Sequence, residues 1–130
     1  MEDFSLVLNR LVDKDPEKIK ITVSENIKKE FEKTARNYLE RGMIEEAVKV
    51  FAMTGNVERL RKIGEFCISK RQLNCAFKAF YFAKDKAGLD KVGEEFIRNG
   101  EIKNAFVSFL LAENKEMVEF LRKNFNDACK

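Results

Sequence analysis

The chain has no histidine and no tryptophan among its 130 residues, one proline and six glycines. Without histidine, the commonest side-chain base near neutral pH and the commonest zinc ligand are both missing. Cys67, Cys75 and Cys129 are an odd set without metal-ligand spacing, so no metal site is expected. The glycines are isolated, so no phosphate-cradling loop is written. Adjacent carboxylates such as Glu45-Glu46 and Glu94-Glu95 point about 100° apart on a helix and make no acid/base pair. The expectation is a non-catalytic protein with no cofactor. So little proline and glycine also argues against a loop-rich or all-β chain. No run of about 18 apolar residues is available to span a membrane, and the N-terminus lacks the basic-then-apolar pattern of an export signal. Free thiols suit a reducing compartment, so a cytoplasmic location away from membranes is expected.

What the chain does have is an internal repeat, read three times at a spacing of 29 residues. Ala47, Ala76 and Ala105 hold one position, and Phe51, Phe80 and Phe109 hold another four residues later. Ile44, Leu73 and Ile102 precede the alanines by three, and Ala35, Gly64 and Gly93 precede them by twelve. The spacing predicts a long helix from a Ser24 cap to near Arg41, stopped by Gly42, then helices over 44–54, 57–70, 73–84, 86–98, 102–113 and 115–125. Asn56, Asp85 and Asn114 share one repeat position and predict the same N-cap three times. Gly64 and Gly93 are expected to face Ala76 and Ala105, with the phenylalanines filling the space beyond. Cys67 falls in the slot of Tyr38 and Phe96 and is expected in the core. Cys75 aligns with Glu46 and Asn104 and is expected at the surface.

Ahead of the repeats, Phe4, Val7, Leu8, Leu11 and Val12 predict an amphipathic helix over 3–14, closed by Asp15-Pro16. Residues 16–23 read either as a helical turn or as an extended connector. The chain reads as one domain: an N-terminal cap and connector over 1–28, three repeats over 29–113, and a C-terminal capping helix and tail over 114–130. In the last segment, Arg122 stands where Gly64 and Gly93 stand earlier, which prevents a further helix from packing closely.

The run Gly64, Cys67, Arg71, Leu73, Ala76, Phe80, Ala83 recurs as Gly93, Phe96, Gly100, Ile102, Ala105, Phe109, Ala112. An earlier copy reads Ala35, Tyr38, Gly42, Ile44, Ala47, Phe51. These offsets resemble tetratricopeptide-like helical hairpins. The repeat is shorter than that family's usual 34 or so residues, and almost no linker separates the hairpins. In that respect it is similar to clathrin-type and coatomer-type α-solenoids. The resemblance implies an all-α, right-handed α-solenoid of stacked antiparallel helical hairpins with terminal capping helices. It further implies a protein-interaction or scaffold role for a solenoid surface.

Carried onto the first helix of each hairpin, the family's groove face falls on Glu32, Arg36 and Glu40, on Arg61, Glu65 and Ser69, and on Asp90, Glu94 and Arg98. Beside it, Lys33, Lys62 and Lys91 share one repeat position and predict a row of ammonium groups about 10 Å apart. That row reads either as an ordinary solvated face or as a site for an acidic partner. Residues 56–93 carry 9 basic and 4 acidic residues, so the surplus positive charge lies in the middle repeat. Phe66, whose counterparts are Asn37 and Glu95, is either a boundary residue against the neighbouring hairpin or an exposed anchor, in one patch with Lys62 and Arg59. The candidate contact residues are therefore Lys33, Arg36, Arg59, Arg61, Lys62, Glu65, Phe66 and Lys91. A protein or peptide partner, acidic in character, fits them. The alternatives are RNA binding through the basic middle segment, disfavoured by a net charge of only +3, and self-association through Tyr81, Val107 and Leu110.

Overall fold

The computed structural model describes residues 25–126 and Cys129. The expectations for 3–14, Asp15-Pro16, 16–23 and a Ser24 cap lie outside these residues. Among the described residues the chain forms seven helices and no strand. They are α1 (Glu25–Glu40), α2 (Ile44–Thr54), α3 (Val57–Ser69), α4 (Leu73–Ala83), α5 (Lys86–Arg98), α6 (Ile102–Leu111) and α7 (Lys115–Asn124). The boundaries agree with the repeat spacing to within two residues. The pairs α1–α2, α3–α4 and α5–α6 pack most extensively, each successive pair touches the next, and α2 also meets α4 as α3 meets α5.

Six turns join these helices, and all six close in the same way. A residue two or three places past each helix donates its N–H five residues back: Met43 to Tyr38, Gln72 to Cys67 and Glu101 to Phe96 at 2.8 Å, and Asn56 to Phe51, Asp85 to Phe80 and Asn114 to Phe109 at 3.0 Å. This closure needs a left-handed residue just before the donor. Gly42, Arg71 and Gly100 supply it within the hairpins, and Gly55, Lys84 and Glu113 supply it between them, all with φ between 55° and 77°. The helices stop where they do because the chain turns left-handed there. Half of these positions are not glycine, at a cost of about 1–2 kcal/mol each.

The predicted caps form. Asn56, Asp85 and Asn114 each accept a backbone N–H three residues on, from Arg59, Gly88 and Met117 at 3.2 Å. Their remaining side-chain atoms reach back to the preceding hairpin. Asn56 donates to Glu32 at 3.2 Å, Asn114 donates to Asp90 at 3.1 Å, and Asp85 pairs with Arg61 at 3.4 Å. Where the cap is an amide its partner is a carboxylate; where the cap is a carboxylate its partner is a guanidinium.

The core follows the repeat. Ala47, Ala76 and Ala105 are fully buried, as are Phe51, Phe80 and Phe109. The glycine contacts differ from expectation: a Cβ on Gly64 would lie 2.5 Å from the tip of the Phe80 ring, and one on Gly93 2.8 Å from the Phe109 ring. The nearest neighbours of these small residues are thus the phenylalanine rings. Gly88, on α5, meets the same ring along its edge: a Cβ there would lie 2.1 Å from Phe80 Cδ1. One ring therefore seats against α3 and α5 together. Among the described residues, one polar side chain is buried in the core: Ser108, which donates to the Leu89 carbonyl at 2.6 Å.

Cys67 is buried as expected, but Cys75 is buried too, which corrects its expected exposure. It lies on α4, which packs against α2, α3 and α5, and its thiol meets Cys67. The hydrogen bond with Cys67, reinforced by burial, pushes the Cys75 thiol up and keeps it protonated. Tyr81, Val107 and Leu110 are exposed as expected.

Two substitutions test this packing. Gly88→Ala overpacks the Phe80 seat and should cost about 1–3 kcal/mol, read as a lower midpoint in chemical denaturation. Phe80→Leu in the same chain should recover part of that loss, so that the double variant is more stable than the sum of the singles allows; strict additivity would rule out the shared seat. Lys84→Gly, at an exposed left-handed position, should gain about 1 kcal/mol.

Candidate functional site

The candidate residues divide according to what the fold already does with them. Arg61 is tied to the Asp85 cap. Glu65 accepts from Lys91 at 2.9 Å, and this bond raises the Lys91 pKa. Lys62 lies 3.7 Å from Glu58 on its own helix, with both side chains largely exposed. Pairs of this kind contribute about 0–1 kcal/mol and leave the lysine available. Lys33 and Arg36 are exposed on α1, away from the concavity described next. The lysine row is therefore not a row of equivalent cations, because Lys91 is engaged by Glu65.

Arg59, Lys62 and Phe66 are brought together. They line a groove of about 370 Å³ with Leu39, Gly42, Ile44 and Ile63. Its floor and far wall are the C-terminal end of α1 and the start of α2; its near wall is α3. Phe66 stands at its edge half-exposed, at 50%. It thus lines the groove while much of its ring faces solvent. The Lys70 ammonium lies over its ring, 5.8 Å from the centroid. The groove is mostly apolar and carries the cations Arg59 and Lys62, with Lys70 beside it over the Phe66 ring. Leu39, Ile44, Ile63 and Lys70 were not among the sequence candidates. Leu39 carried only the ordinary signal of a helix end near a turn, and Ile44 only that of a repeated packing position.

The next repeat explains why the groove is open. Residues 42 and 66 have counterparts 71 and 95. There, Arg71 hydrogen-bonds Glu95 and donates to Asn99 at 2.7 Å, and Arg98 also bonds Glu95. An ion-paired guanidinium occupies the junction between those hairpins. At the first junction Gly42 has no side chain to offer, with nothing within 4 Å of its would-be Cβ, and Phe66 cannot bond an arginine. A larger cleft of about 470 Å³ runs along the hairpin turns, lined by Glu45, Glu46, Arg71, Asn99 and Glu101 among others. Its one guanidinium is the Arg71 already committed to Glu95, and its other charges are acidic, so it offers no comparable apolar seat. Among the described residues no group of His, Cys, Asp or Glu is placed to hold a metal ion, and no helix is long and apolar enough to cross a membrane.

The Arg71–Glu95 junction has a pH signature. The Arg71 hydrogen bond holds the Glu95 carboxyl below its ordinary value of 4.5. A carboxylate with a depressed folded-state pKa adds stability above the unfolded value and loses it as pH falls through the folded value. Denaturation midpoints should therefore decline as pH drops below 4.5, and Glu95→Gln should make that decline shallower. An unchanged slope would remove Glu95 from the acid response. Compared with known protein families, curated proteins and solved structures, the chain matches none.

Proposed function

We propose that this chain is a helical-repeat protein-interaction module, and that the Phe66 groove seats a short apolar segment flanked by acidic residues. The observation that carries the reading is the contrast between two equivalent junctions. One is filled by Arg71 and Glu95; the other is left open by Gly42 and Phe66. An apolar interior with an aromatic at its edge is the usual composition of an interface centre. Arg59 and Lys62 at the groove, with Lys70 over Phe66, favour acidic flanks by charge complementarity. The 29-residue repeat, the six matching turns and the α2–α4 and α3–α5 contacts support a tetratricopeptide-like solenoid as its scaffold. An interaction role without catalysis accords with the absence of histidine from the whole chain. RNA is the weaker reading, because the lysine row on which it rests is partly neutralised by Glu65.

The next repeat supplies its own test. Gly42→Arg with Phe66→Glu copies the filled junction into the open one. Arginine already adopts the required left-handed turn at Arg71, so the fold should survive. A display selection with randomised 12-residue peptides should enrich apolar cores beside Asp or Glu. The selected peptides should bind the double variant at least about tenfold more weakly, which is the scale of one interface anchor. Enrichment of basic peptides, or equal binding by the double variant, rejects the groove.

A further inference from the structure

Along one exposed face, α7 departs from α3 and α5 at two repeat positions, and the departures complement each other. Position 120 is the lysine position: Lys33, Lys62 and Lys91 precede Phe120. Position 123 is Lys123 where Glu65 and Glu94 stand in α3 and α5. Glu116, Phe120 and Lys123 are spaced i, i+4, i+7, so they share one face of α7. All three are exposed, Phe120 at 50%. The face reads acid, aromatic, base.

We infer that this face pairs with a second copy of itself, giving a weak isologous dimer through antiparallel α7 helices. A two-fold axis through Phe120 sets the two rings against each other and places Glu116 opposite the partner's Lys123 at both ends. The other first helices cannot do this. The matching face of α3 is Glu58, Lys62, Glu65, which in the same arrangement sets lysine against lysine and glutamate against glutamate. The face of α5 is Ala87, Lys91, Glu94, with lysine again at the centre. Only α7 is self-complementary, and it is so because of the two residues that break the repeat. A single helix face is a small interface, so the dimer belongs to the weak class. It involves none of the groove residues and stands independently of the groove reading. It also differs from the self-association expected through Tyr81, Val107 and Leu110.

Sedimentation velocity on the full chain between about 10 μM and about 1 mM covers the range where a weak dimer forms. The wild type should shift from monomer toward dimer across the series. Phe120→Lys restores the residue found at the other three positions, so the helix should persist, and self-affinity should fall about tenfold or more. Glu116→Lys should also weaken the dimer, and Glu116→Lys with Lys123→Glu should restore it. Val107→Lys, on α6, should leave it unchanged. A monomer at every concentration overturns the inference. So does a Phe120→Lys dimer of wild-type strength, a double swap that fails to rescue, or a dimer that Val107→Lys disperses.

Discussion

A phenylalanine ring pressed between two glycines holds the middle of this molecule in register. Phe80 belongs to α4, but its ring fills the space that side chains would occupy on both Gly64 of α3 and Gly88 of α5. The contact with Gly64 closes a hairpin; the contact with Gly88 fixes that hairpin to the next. Glycine inside a helix costs about 1 kcal/mol relative to alanine. Burying a large aromatic at full packing density offsets that cost, since truncating such a ring costs about 3–5 kcal/mol. The contact within the hairpin recurs with Phe109 against Gly93.

The surface is bound to this framework more tightly than its exposure suggests. Each cap residue is shared: one atom ends a helix and another reaches the hairpin before it. The partner changes chemistry with the cap, from Glu32 and Asp90 opposite asparagines to Arg61 opposite Asp85. Glu65 with Lys91 and Arg71 with Glu95 add further links between successive hairpins. Charges that look available along a groove face are thus largely employed in joining neighbours. This narrows the search for a binding surface to what the links leave over.

The reading of the sequence succeeded where chemistry repeats and failed where it does not. Alanine, phenylalanine and cap positions recur every 29 residues, so the helix limits and the core followed from spacing alone. Gly88 did not stand out because its counterparts are Arg59 and Met117, and nothing in one copy predicts a glycine there. Cys75 looked exposed because its counterparts are polar; its burial comes from α4 being packed on several sides, which spacing along one helix does not express. Phe66 with Lys62 and Arg59 was legible as a patch, since all three share a helix face. The rest of the groove was not, because Gly42 and Phe66 meet across two hairpins and lie 24 residues apart, outside the repeat interval. The three left-handed residues Arg71, Lys84 and Glu113 were equally hidden, since only glycine announces that conformation in a sequence.

In a chain built by repetition, the shared residues are accounted for by the fold, because each copy must solve the same packing problem. Specific contact with anything else has to come from residues that differ between copies. Two such differences create accessible apolar surface here. Gly42 and Phe66 empty a junction that Arg71 and Glu95 fill one repeat later, and Phe120 replaces a lysine that three helices carry. Neither improves packing within the chain: the first leaves an open groove, and the second leaves an aromatic ring half in water. Exposing a large apolar side chain at a position where lysine serves equally well forgoes burial worth about 1.5–3 kcal/mol. That burial is recovered only when another surface covers the ring. On the proposed readings, a cationic rim suits the groove to an acidic partner, whereas an acid–aromatic–base stripe suits its own antiparallel image. The two surfaces therefore call for different occupants, and each specificity is written in the charges that flank the exposed ring.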